Sequence, residues 1–386
     1  MRQVIRDLPG SKIREVANAA LGRDDVLPFW FGESDEATPP HIRDAAVRSL
    51  AEGETFYSHN LGVAELREAL ARYVSALHRP VTAERVAVTS SGVSALMLAM
   101  QALVGAGDEV VAVTPVWPNL TAQPAILGAG VTRLALRMEE GCWRLDPDSL
   151  RRAVTSATRV LLVNSPNNPT GWTLTRLEQQ ALLDHCRQTG TWIVADEVYE
   201  RVFFAGAAGA CAPSFLDIAE PDDRLLVVHS FSKSFLMTGW RLGWIVAPPG
   251  FTPDLAKLIE FNTSCAPVFV QRAALAALAQ ADASVPELVG RLRICRDTLL
   301  PRLAALPGIS VAVPPGGLYA FFAVEGEPDS LALAKRLVTE AGLGIAPGNA
   351  FAPEAQGWLR WCFASKDKQR LVEGVERLKR WLAAQR

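Results

Sequence analysis

The chain has 386 residues, of which 49% are hydrophobic and 21% are charged, and its formal net charge at pH 7 is −2. This composition is typical of a globular protein long enough for two domains, and it excludes a disordered or fibrous protein. A net charge so close to zero exerts no long-range attraction on nucleic acid or on an anionic membrane. We therefore expect neither as a partner.

The six cysteines and five histidines show no spacing typical of a disulfide framework or of a metal site, since C-x-x-C and H-E-x-x-H motifs do not occur. We expect reduced thiols and no metal centre built by the protein. Residues 1–9 lack the apolar core of a secretory signal, and no apolar run reaches the roughly 18 residues that span a membrane. The sequence thus predicts a cytoplasmic protein.

The first part of the chain alternates helical patterns with short apolar runs. Residues 63–77 place Leu66, Leu70 and Val74 on one face of a helix. Apolar runs that predict strands follow at residues 86–88, 110–113, 160–163, 192–195, 225–228 and 242–247. Several of these runs are apolar throughout and helices separate them, which indicates a largely parallel α/β sheet buried on both faces.

The later chain has a different pattern. It predicts helices at about 254–283, 286–304, 330–341 and 366–384, with short strands at 309–313 and 319–324. This mixture is typical of a smaller α+β domain. We therefore predict a large domain over residues 41–284, and a small domain formed by residues 1–40 and 285–386. The run of small residues at 205–212 is interpreted as a surface loop.

Polar or aromatic groups follow five of the predicted strands. They are a Ser-Gly turn at 89–93, Trp117, Asn168, Asp196 with Tyr199, and Lys233 between two serines. Parallel sheets bind ligands beyond the carboxyl ends of their strands, so we expect these groups to converge. Each also has an ordinary structural explanation as a helix cap, a core aromatic, a turn residue or a surface lysine. The carboxylate is more informative, because a buried one needs a cationic partner, and a lysine in a cleft can act as a nucleophile.

The residues around Lys233 resemble a family motif. The run S-F-S-K-S-F-L-M-T-G-W-R-L-G at 230–243 is similar to the pyridoxal-phosphate attachment motif of class I and II aminotransferases. P-V-W-P-N, N-N-P-T-G and D-E-V-Y occur in that family's order and approximate spacing, and the resemblance extends from 32–39 through 57–67 to 357–360. It implies the aspartate-aminotransferase fold (fold type I), pyridoxal 5′-phosphate as cofactor, and a homodimer with active sites at the subunit interface.

The resemblance also implies roles for the residues that face the cofactor ring. Lys233 resembles the lysine that holds the cofactor as a Schiff base and then moves a proton at the substrate. Asp196 resembles the carboxylate that keeps the pyridine nitrogen protonated. Tyr199 and Asn168 resemble the pair that hydrogen-bonds the phenolic oxygen, and Trp117 resembles the indole that stacks on the ring.

Further roles concern the phosphate and the substrate. The residues that resemble the phosphate cup are Ser91, Gly92, Val93, Ser230 and Arg241. Ser232 is a weaker candidate for the same cup. Tyr57 resembles a tyrosine that reaches the phosphate of the neighbouring subunit. Arg360 resembles the arginine that binds the substrate α-carboxylate with two hydrogen bonds, and Gly32 resembles the glycine whose backbone approaches that carboxylate.

The sequence departs from the family at one position that bears on the substrate. Val93 stands in the phosphate turn where some aspartate-specific relatives carry a lysine for the distal carboxylate, so this chain cannot use that lysine. Trp30, Phe31 and Trp117 are candidates for lining a pocket for neutral or aromatic side chains, although core packing explains each of them as well.

Three functions fit the resemblance. The first is an aminotransferase that moves an amino group from an amino acid to a 2-oxo acid in ping-pong half-reactions. The second is a pyridoxal-phosphate C–S lyase, or a related enzyme on the same fold, because such enzymes share the lysine, aspartate, tyrosine and arginine. The third is a cofactor-binding sensor of a transcription factor, which the length and the lack of a basic N-terminal module disfavour. A dinucleotide-dependent dehydrogenase is disfavoured because no G-x-G-x-x-G follows the early strands.

Overall fold

A seven-stranded sheet forms the centre of the computed structural model, which describes residues 1–206 and 209–385. The strands are β1 Leu27–Pro28, β2 Val86–Thr89, β3 Glu109–Thr114, β4 Gly130–Ala135, β5 Arg137–Glu139, β6 Cys142–Arg144, β7 Thr158–Asn164, β8 Trp192–Asp196, β9 Leu225–Ser230, β10 Gly243–Val246, β11 Ile309–Val311, β12 Tyr319–Val324, β13 Leu343–Gly344, β14 Ala346–Pro347 and β15 Trp358–Cys362. The α-helices are α1 Gln3–Arg6, α2 Lys12–Asn18, α3 Pro40–Ala51, α4 Ala64–Leu77, α5 Gly92–Leu103, α6 Asn119–Leu127, α7 Pro147–Ala153, α8 Arg176–Thr189, α9 Thr252–Glu260, α10 Val268–Ala279, α11 Ala281–Ala304, α12 Ser330–Ala341 and α13 Lys368–Ala384.

The order of strands in the central sheet is β2-β10-β9-β8-β7-β3-β4. Neighbouring strands run parallel, except that β10 runs antiparallel to both β2 and β9. The six strands predicted from apolar runs are confirmed. The prediction missed β4 at the sheet edge, because its exposed Thr132 and Arg133 interrupt the apolar pattern.

Both faces of the central sheet are covered. Alternate residues of a strand point to opposite faces, and in β3 the side chains of Val110 and Ala112 join the core formed with α5, α6 and α9. Val111 and Val113 point the other way, into the larger core that continues into the later part of the chain. The α/β class predicted from apolar strands is therefore confirmed.

The later part of the chain builds a second sheet of four strands in the order β11-β12-β15-β14, in which neighbours run antiparallel. The prediction of one helix over 254–283 is wrong, because residues 261–267 separate α9 from α10. Ser264 has a positive φ of 58°, and Pro267 has no N–H to continue a helix. The predicted domain boundaries stay predictions, and α11 runs without a break from Ala281 to Ala304 across residue 284.

The beginning of the chain pairs with this later part. The Leu27 N–H donates to the carbonyl of Gly342 (2.9 Å) and the Phe29 N–H to that of Gly344 (2.7 Å), so β1 lies parallel to β13. The Lys12 Nζ donates to the Asn349 carbonyl at 3.1 Å. These contacts hold α2 and the segment after β1 at the edge of the second sheet.

Two remaining expectations concern the surface. In the run 205–212, Ala205 and Gly206 are exposed and Ala212 is buried, while residues 207 and 208 of this predicted loop lie outside the described residues. Within the described chain, no helix is both long enough and apolar enough to span a membrane.

Candidate active site

A cavity of about 540 Å³ opens beside the carboxyl ends of the parallel strands. β7 ends at Asn164, β8 at Asp196 and β9 at Ser230, and all three residues line it. The predicted site residues that line this cavity are Gly32, Gly92, Val93, Trp117, Asn168, Asp196, Tyr199, Ser230, Lys233, Arg241 and Arg360. The structure therefore brings together the groups that the sequence places at separate strand ends, as expected for a parallel sheet.

Asp196 is a buried carboxylate, with 2% of the residue exposed. Its Oδ1 accepts a long hydrogen bond from the Val198 N–H at 3.4 Å. Burial raises the pKa of Asp196 to about 7, because water no longer stabilises the charged form. A cationic group in the cavity would offset this cost, so the site suits a ligand with a protonated ring nitrogen.

Lys233 lies in the same cavity with its side chain directed toward the segment after β1. Its Nζ donates to the Gly32 carbonyl at 2.6 Å and lies 5.6 Å from the centroid of the Tyr199 ring. Burial lowers the pKa of Lys233 to about 8, and the charge of Arg360 contributes in the same direction. A larger share of the amine is then neutral near pH 7, which makes it a better nucleophile and proton acceptor than a surface lysine.

Tyr199 shares a hydrogen bond of 2.6 Å with the hydroxyl of Tyr319. Burial raises the pKa of Tyr199 well above its ordinary value and that of Tyr319 to about 12, so both phenols stay protonated near neutral pH. Tyr319 also explains why residue 32 is glycine, because a Cβ there would lie 2.1 Å from the Tyr319 hydroxyl oxygen. The sequence reasoning missed Tyr319, which begins a strand of the second sheet instead of ending a strand of the central one.

The turn between β2 and α5 offers backbone N–H groups at a helix N-terminus. Ser91 precedes α5 with a φ of 123°, and its Oγ accepts from the Ser94 N–H at 3.1 Å. Ser91 itself does not line the cavity, whereas Gly92 does. A Cβ at Gly243 in the neighbouring strand would lie 2.6 Å from the Gly92 nitrogen, so only glycine allows this close approach. Together with Arg241 at the cavity wall, this turn suits a phosphate.

Arg360 is a buried guanidinium, with 2% of the residue exposed. Its Nη1 donates to Asn168 Oδ1 at 2.9 Å, its Nη2 donates to the carbonyl of Trp30, and its Nε has no hydrogen-bond partner. The guanidinium carbon lies 4.4 Å from the ring centroid of Tyr319 and 4.8 Å from that of Phe351. Within the described chain no carboxylate pairs with this cation, so the site suits a carboxylate of a ligand.

Tyr57 is a predicted site residue that does not line the cavity, and it is 87% exposed. Its neighbour Phe56 is 83% exposed, and Phe261 is 90% exposed.

A buried network of ionisable groups lies behind the turn that follows β8. Glu200 accepts from His78 Nε2 at 3.0 Å, and Asp217 accepts from His78 Nδ1 at 2.9 Å. Glu197, Glu200 and His229 are close enough to share a metal ion, with ligand atoms within 4.8 Å of one another. The carboxylate of Glu197 already accepts from Ser214 Oγ at 2.5 Å, and Glu200 is paired with His78. Glu197 and Glu200 are therefore engaged in hydrogen bonds, whereas His229 Nδ1 lies 3.5 Å from Glu200 Oε1 and neither ring nitrogen of His229 has a hydrogen-bond partner. The expectation of no metal centre stays a prediction.

The family profile of aminotransferase class I and II matches residues 24–378. The chain belongs to the class I and II aminotransferase family. It is 32% identical to an aspartate aminotransferase from Pyrococcus horikoshii over 97% of this chain and 95% of the relative. It is 34% identical to an arginine–pyruvate transaminase from Pseudomonas aeruginosa over 90% of this chain and 87% of that one. A solved aspartate aminotransferase from Thermotoga maritima superposes with a TM-score of 0.92 at 30% identity, covering 99% of this chain and 100% of that structure.

The protein is thus a pyridoxal-phosphate-dependent aminotransferase of fold type I, which confirms the fold, enzyme class and cofactor implied by the sequence motifs. The relatives give no support to the C–S lyase alternative.

The aminotransferase has cavity residues that sequence reasoning did not single out. They are Ile13, Arg14, Glu33, Leu96, Asn164, Val198, Thr238 and Tyr319. Asn164 ends β7 and could have been found by the strand-end reasoning that identified Asn168, whereas Ile13 and Arg14 come from a helix that no strand pattern connects to the site. Trp30 does not line the cavity. A Cβ at Gly344 would lie 2.1 Å from its ring, which shows that the indole packs there instead.

Proposed function

We propose that the aminotransferase moves an amino group between an amino acid and a 2-oxo acid by ping-pong half-reactions at this cavity, with Lys233 as the catalytic residue. The observation that carries the proposal is that one cavity holds Lys233, the buried carboxylate of Asp196 and the buried guanidinium of Arg360. These supply an amine for proton transfer, an anion for a ring nitrogen and a cation for a substrate carboxylate. Bound pyridoxal phosphate supplies an electron sink that makes the substrate Cα–H acidic.

The residues present fit this cofactor. Asp196 would hold the proton on the pyridine nitrogen, because the buried carboxylate has one long hydrogen bond from the protein and needs a cation. Gly92 and Arg241, with Ser91, Val93 and Ser230, would bind the phosphate at the start of α5. Asn168 and Tyr199 would donate hydrogen bonds to the phenolic oxygen, and the Trp117 indole would cover the ring.

Lys233 would attach the cofactor covalently through its Nζ and, once released, carry a proton at the substrate Cα. Its lowered pKa suits both roles, because a neutral amine is required for attack and for proton acceptance. The Gly32 carbonyl, which accepts from Nζ, would orient the amine.

The purified protein should absorb visible light through the bound cofactor, and addition of an amino donor alone should shift this band to that of the amine form. Addition of a 2-oxo acid should then restore the first spectrum. A cycle of this kind without ammonia release supports transamination. Stoichiometric release of ammonia and a 2-oxo acid from a cysteine conjugate, with no amine form, would instead indicate elimination.

Arg360 should determine the affinity for the substrate α-carboxylate. We expect Arg360→Ala to weaken the binding of amino acids and 2-oxo acids by about 2–5 kcal/mol, because a desolvated charge pair is lost. Arg360→Lys should recover part of this loss, since it keeps the charge but not the two-point geometry. KM and kcat for one donor measure the effect, and an unchanged KM in Arg360→Ala would contradict the role.

We propose that the aminotransferase is a homodimer in which Tyr57 reaches the cofactor phosphate of the partner subunit. The exposed Phe56 and Tyr57 support this proposal, because a subunit interface would cover them. Sedimentation should give twice the mass of one chain. The cytoplasmic location, and the lack of nucleic-acid and membrane partners, stay predictions.

Subunit mixing tests whether sites are shared. We expect both Lys233→Ala and Tyr57→Ala to be impaired alone. After subunit exchange, a hybrid dimer with shared sites contains one site with neither substitution, so activity should rise above that of either parent. If each chain forms its site alone, every site in the mixture keeps one substitution and activity stays at the mean of the two parents.

A further inference from the structure

One cation in the cavity has no part in the proposed function. Among the described lining residues, the cationic side chains are Arg14, Lys233, Arg241 and Arg360. In the proposed function, Lys233 would attach the cofactor, Arg241 would contact its phosphate and Arg360 would bind the α-carboxylate. Arg14 is left without a ligand.

The backbone of Arg14 is held in place. Its N–H donates to Ser11 Oγ at the start of α2 (3.3 Å), and the neighbouring Lys12 Nζ donates to the Asn349 carbonyl (3.1 Å). The adjacent carboxylate of Glu15 pairs with Lys335 at 2.5 Å and is not available to Arg14. Helix α2 therefore fixes the point from which the Arg14 side chain enters the cavity wall.

The guanidinium of Arg14 has an aromatic neighbour but no anionic one. Its central carbon lies 5.9 Å from the centroid of the Phe31 ring. In the described part of the chain, no carboxylate lies within ion-pair distance of it. A guanidinium over an aromatic face keeps its hydrogen-bond donors free, so it can still bind a carboxylate.

Arg14 and Arg360 contact neighbouring residues of the same short segment, residues 30–31. Arg360 donates to the carbonyl of Trp30, and Arg14 covers the ring of Phe31, the next residue. Phe31 and Gly32 both line the cavity. A ligand that places one carboxylate on Arg360 and extends along this wall therefore approaches a second guanidinium.

The other side chains on this wall of the cavity do not provide a positive charge for a second carboxylate. Val93 in the phosphate turn is apolar, and Ile13 adds another apolar surface. Glu33 is the carboxylate that could oppose a second anion, but its Oε2 accepts from Thr238 Oγ1 at 2.9 Å, on the side of the cavity where Lys233 also lies. Arg14 is thus the group on this wall with the charge for an acidic side chain.

We propose that Arg14 is a specificity-determining residue that binds the second carboxylate of acidic substrates, that is, of dicarboxylic 2-oxo acids and the matching amino acids. This inference rests on the proposed function, because Arg360 must take the first carboxylate. It revises the expectation of a purely neutral or aromatic pocket: Phe31 and Trp117 line the cavity as expected, but Arg14 adds a cation beside them.

The test compares acceptors that differ in the second carboxylate. The ratio of kcat/KM for 2-oxoglutarate to that for pyruvate is measured in the wild type, Arg14→Ala and Arg14→Lys. Arg380→Ala is the control, because Arg380 is an exposed arginine on α13. We expect the ratio to fall by about 10-fold or more in Arg14→Ala, as for loss of one charge-assisted contact, and by less in Arg14→Lys. Arg380→Ala should keep the wild-type ratio.

Binding without turnover provides the second readout. Glutarate and pentanoate have the same number of carbons, and their dissociation constants follow from the change in cofactor absorbance of the holoenzyme. We expect glutarate to bind the wild type more tightly than pentanoate and to lose this advantage in Arg14→Ala. The role of Arg14 would be overturned if Arg14→Ala kept the wild-type acceptor ratio, or if it bound glutarate and pentanoate more weakly by the same factor. Failure of the proposed function looks different, because then no amino donor converts the wild type to the amine form.

Discussion

Replacing Lys233 with alanine is expected to lower the rate of transamination by at least about 1000-fold, because the variant loses both the nucleophile that holds the cofactor and the base that moves the proton. The cavity keeps its other groups, so the variant should still bind pyridoxal phosphate without a covalent bond. Reduction with borohydride followed by mass spectrometry should show a cofactor adduct at residue 233 in the wild type and none in the variant.

Two further variants separate the roles of this lysine. Lys233→Arg keeps a cation but offers no neutral amine near pH 7, so it should be as inactive as Lys233→Ala. Lys257→Ala removes an exposed lysine on α9 that pairs with Asp254, and it should keep full activity. Small primary amines added to Lys233→Ala should restore part of the proton transfer. Full turnover together with a covalent adduct in Lys233→Ala would disprove the assignment.

The largest effect on stability is expected at His78. Its side chain is 1% exposed and lies between Glu200 and Asp217. Replacing His78 with leucine removes the hydrogen-bonded cation of the buried Glu200 and leaves Asp217 with Arg176 as its ion-pair partner at 3.0 Å. Because the charge of Glu200 stays buried, we expect the free energy of unfolding to fall by about 3–5 kcal/mol. Chemical denaturation at pH 6 measures the difference. His185→Gln is a matched control, because His185 is partly buried with one carbonyl partner at 2.8 Å, and it should cost about 1 kcal/mol.

The contribution of His78 to the free energy of unfolding should decrease as the pH rises. Burial alone would lower the pKa of His78, but the hydrogen bonds to Asp217 and Glu200 outweigh burial and raise it to about 10. A pKa that is higher in the folded state stabilises the protein fully below the unfolded value of about 6.5, and this contribution is lost as the pH rises toward 10. The difference in unfolding free energy between wild type and His78→Leu should therefore shrink between these pH values. A difference that grows with pH would contradict the charged state of His78.

The network around His78 also shows why stability and catalysis are linked in this fold. Glu200 follows Asp196 by four residues in the same turn, so the ion pair that holds Glu200 also fixes the turn that carries Asp196 and Tyr199. The hydrogen bonds of such a buried network favour one arrangement of the backbone.

Several features of the site could be predicted because they are local in the chain. Asp196, Asn168 and Lys233 follow apolar strands, and parallel strands deliver their carboxyl ends to one edge. The run 230–243 carried enough constrained positions to indicate the cofactor, and Asn164 was within reach of the same reasoning. The helix break at 261–267 was missed because apolar periodicity on both sides outweighed the single Pro267, and because the positive φ of Ser264 has no signal in the sequence.

The sequence by itself therefore determined the α/β class and the set of groups at the strand ends, because both depend on short-range pattern, and the resemblance of residues 230–243 to a family motif indicated the cofactor. Only the tertiary structure decided what surrounds these groups. Tyr319 meets Tyr199, and Arg14 reaches the wall beside Phe31, through contacts between segments far apart in the chain. The pKa values of Asp196 and Lys233 were likewise set by burial, which depends on packing from several elements at once and has no local signature.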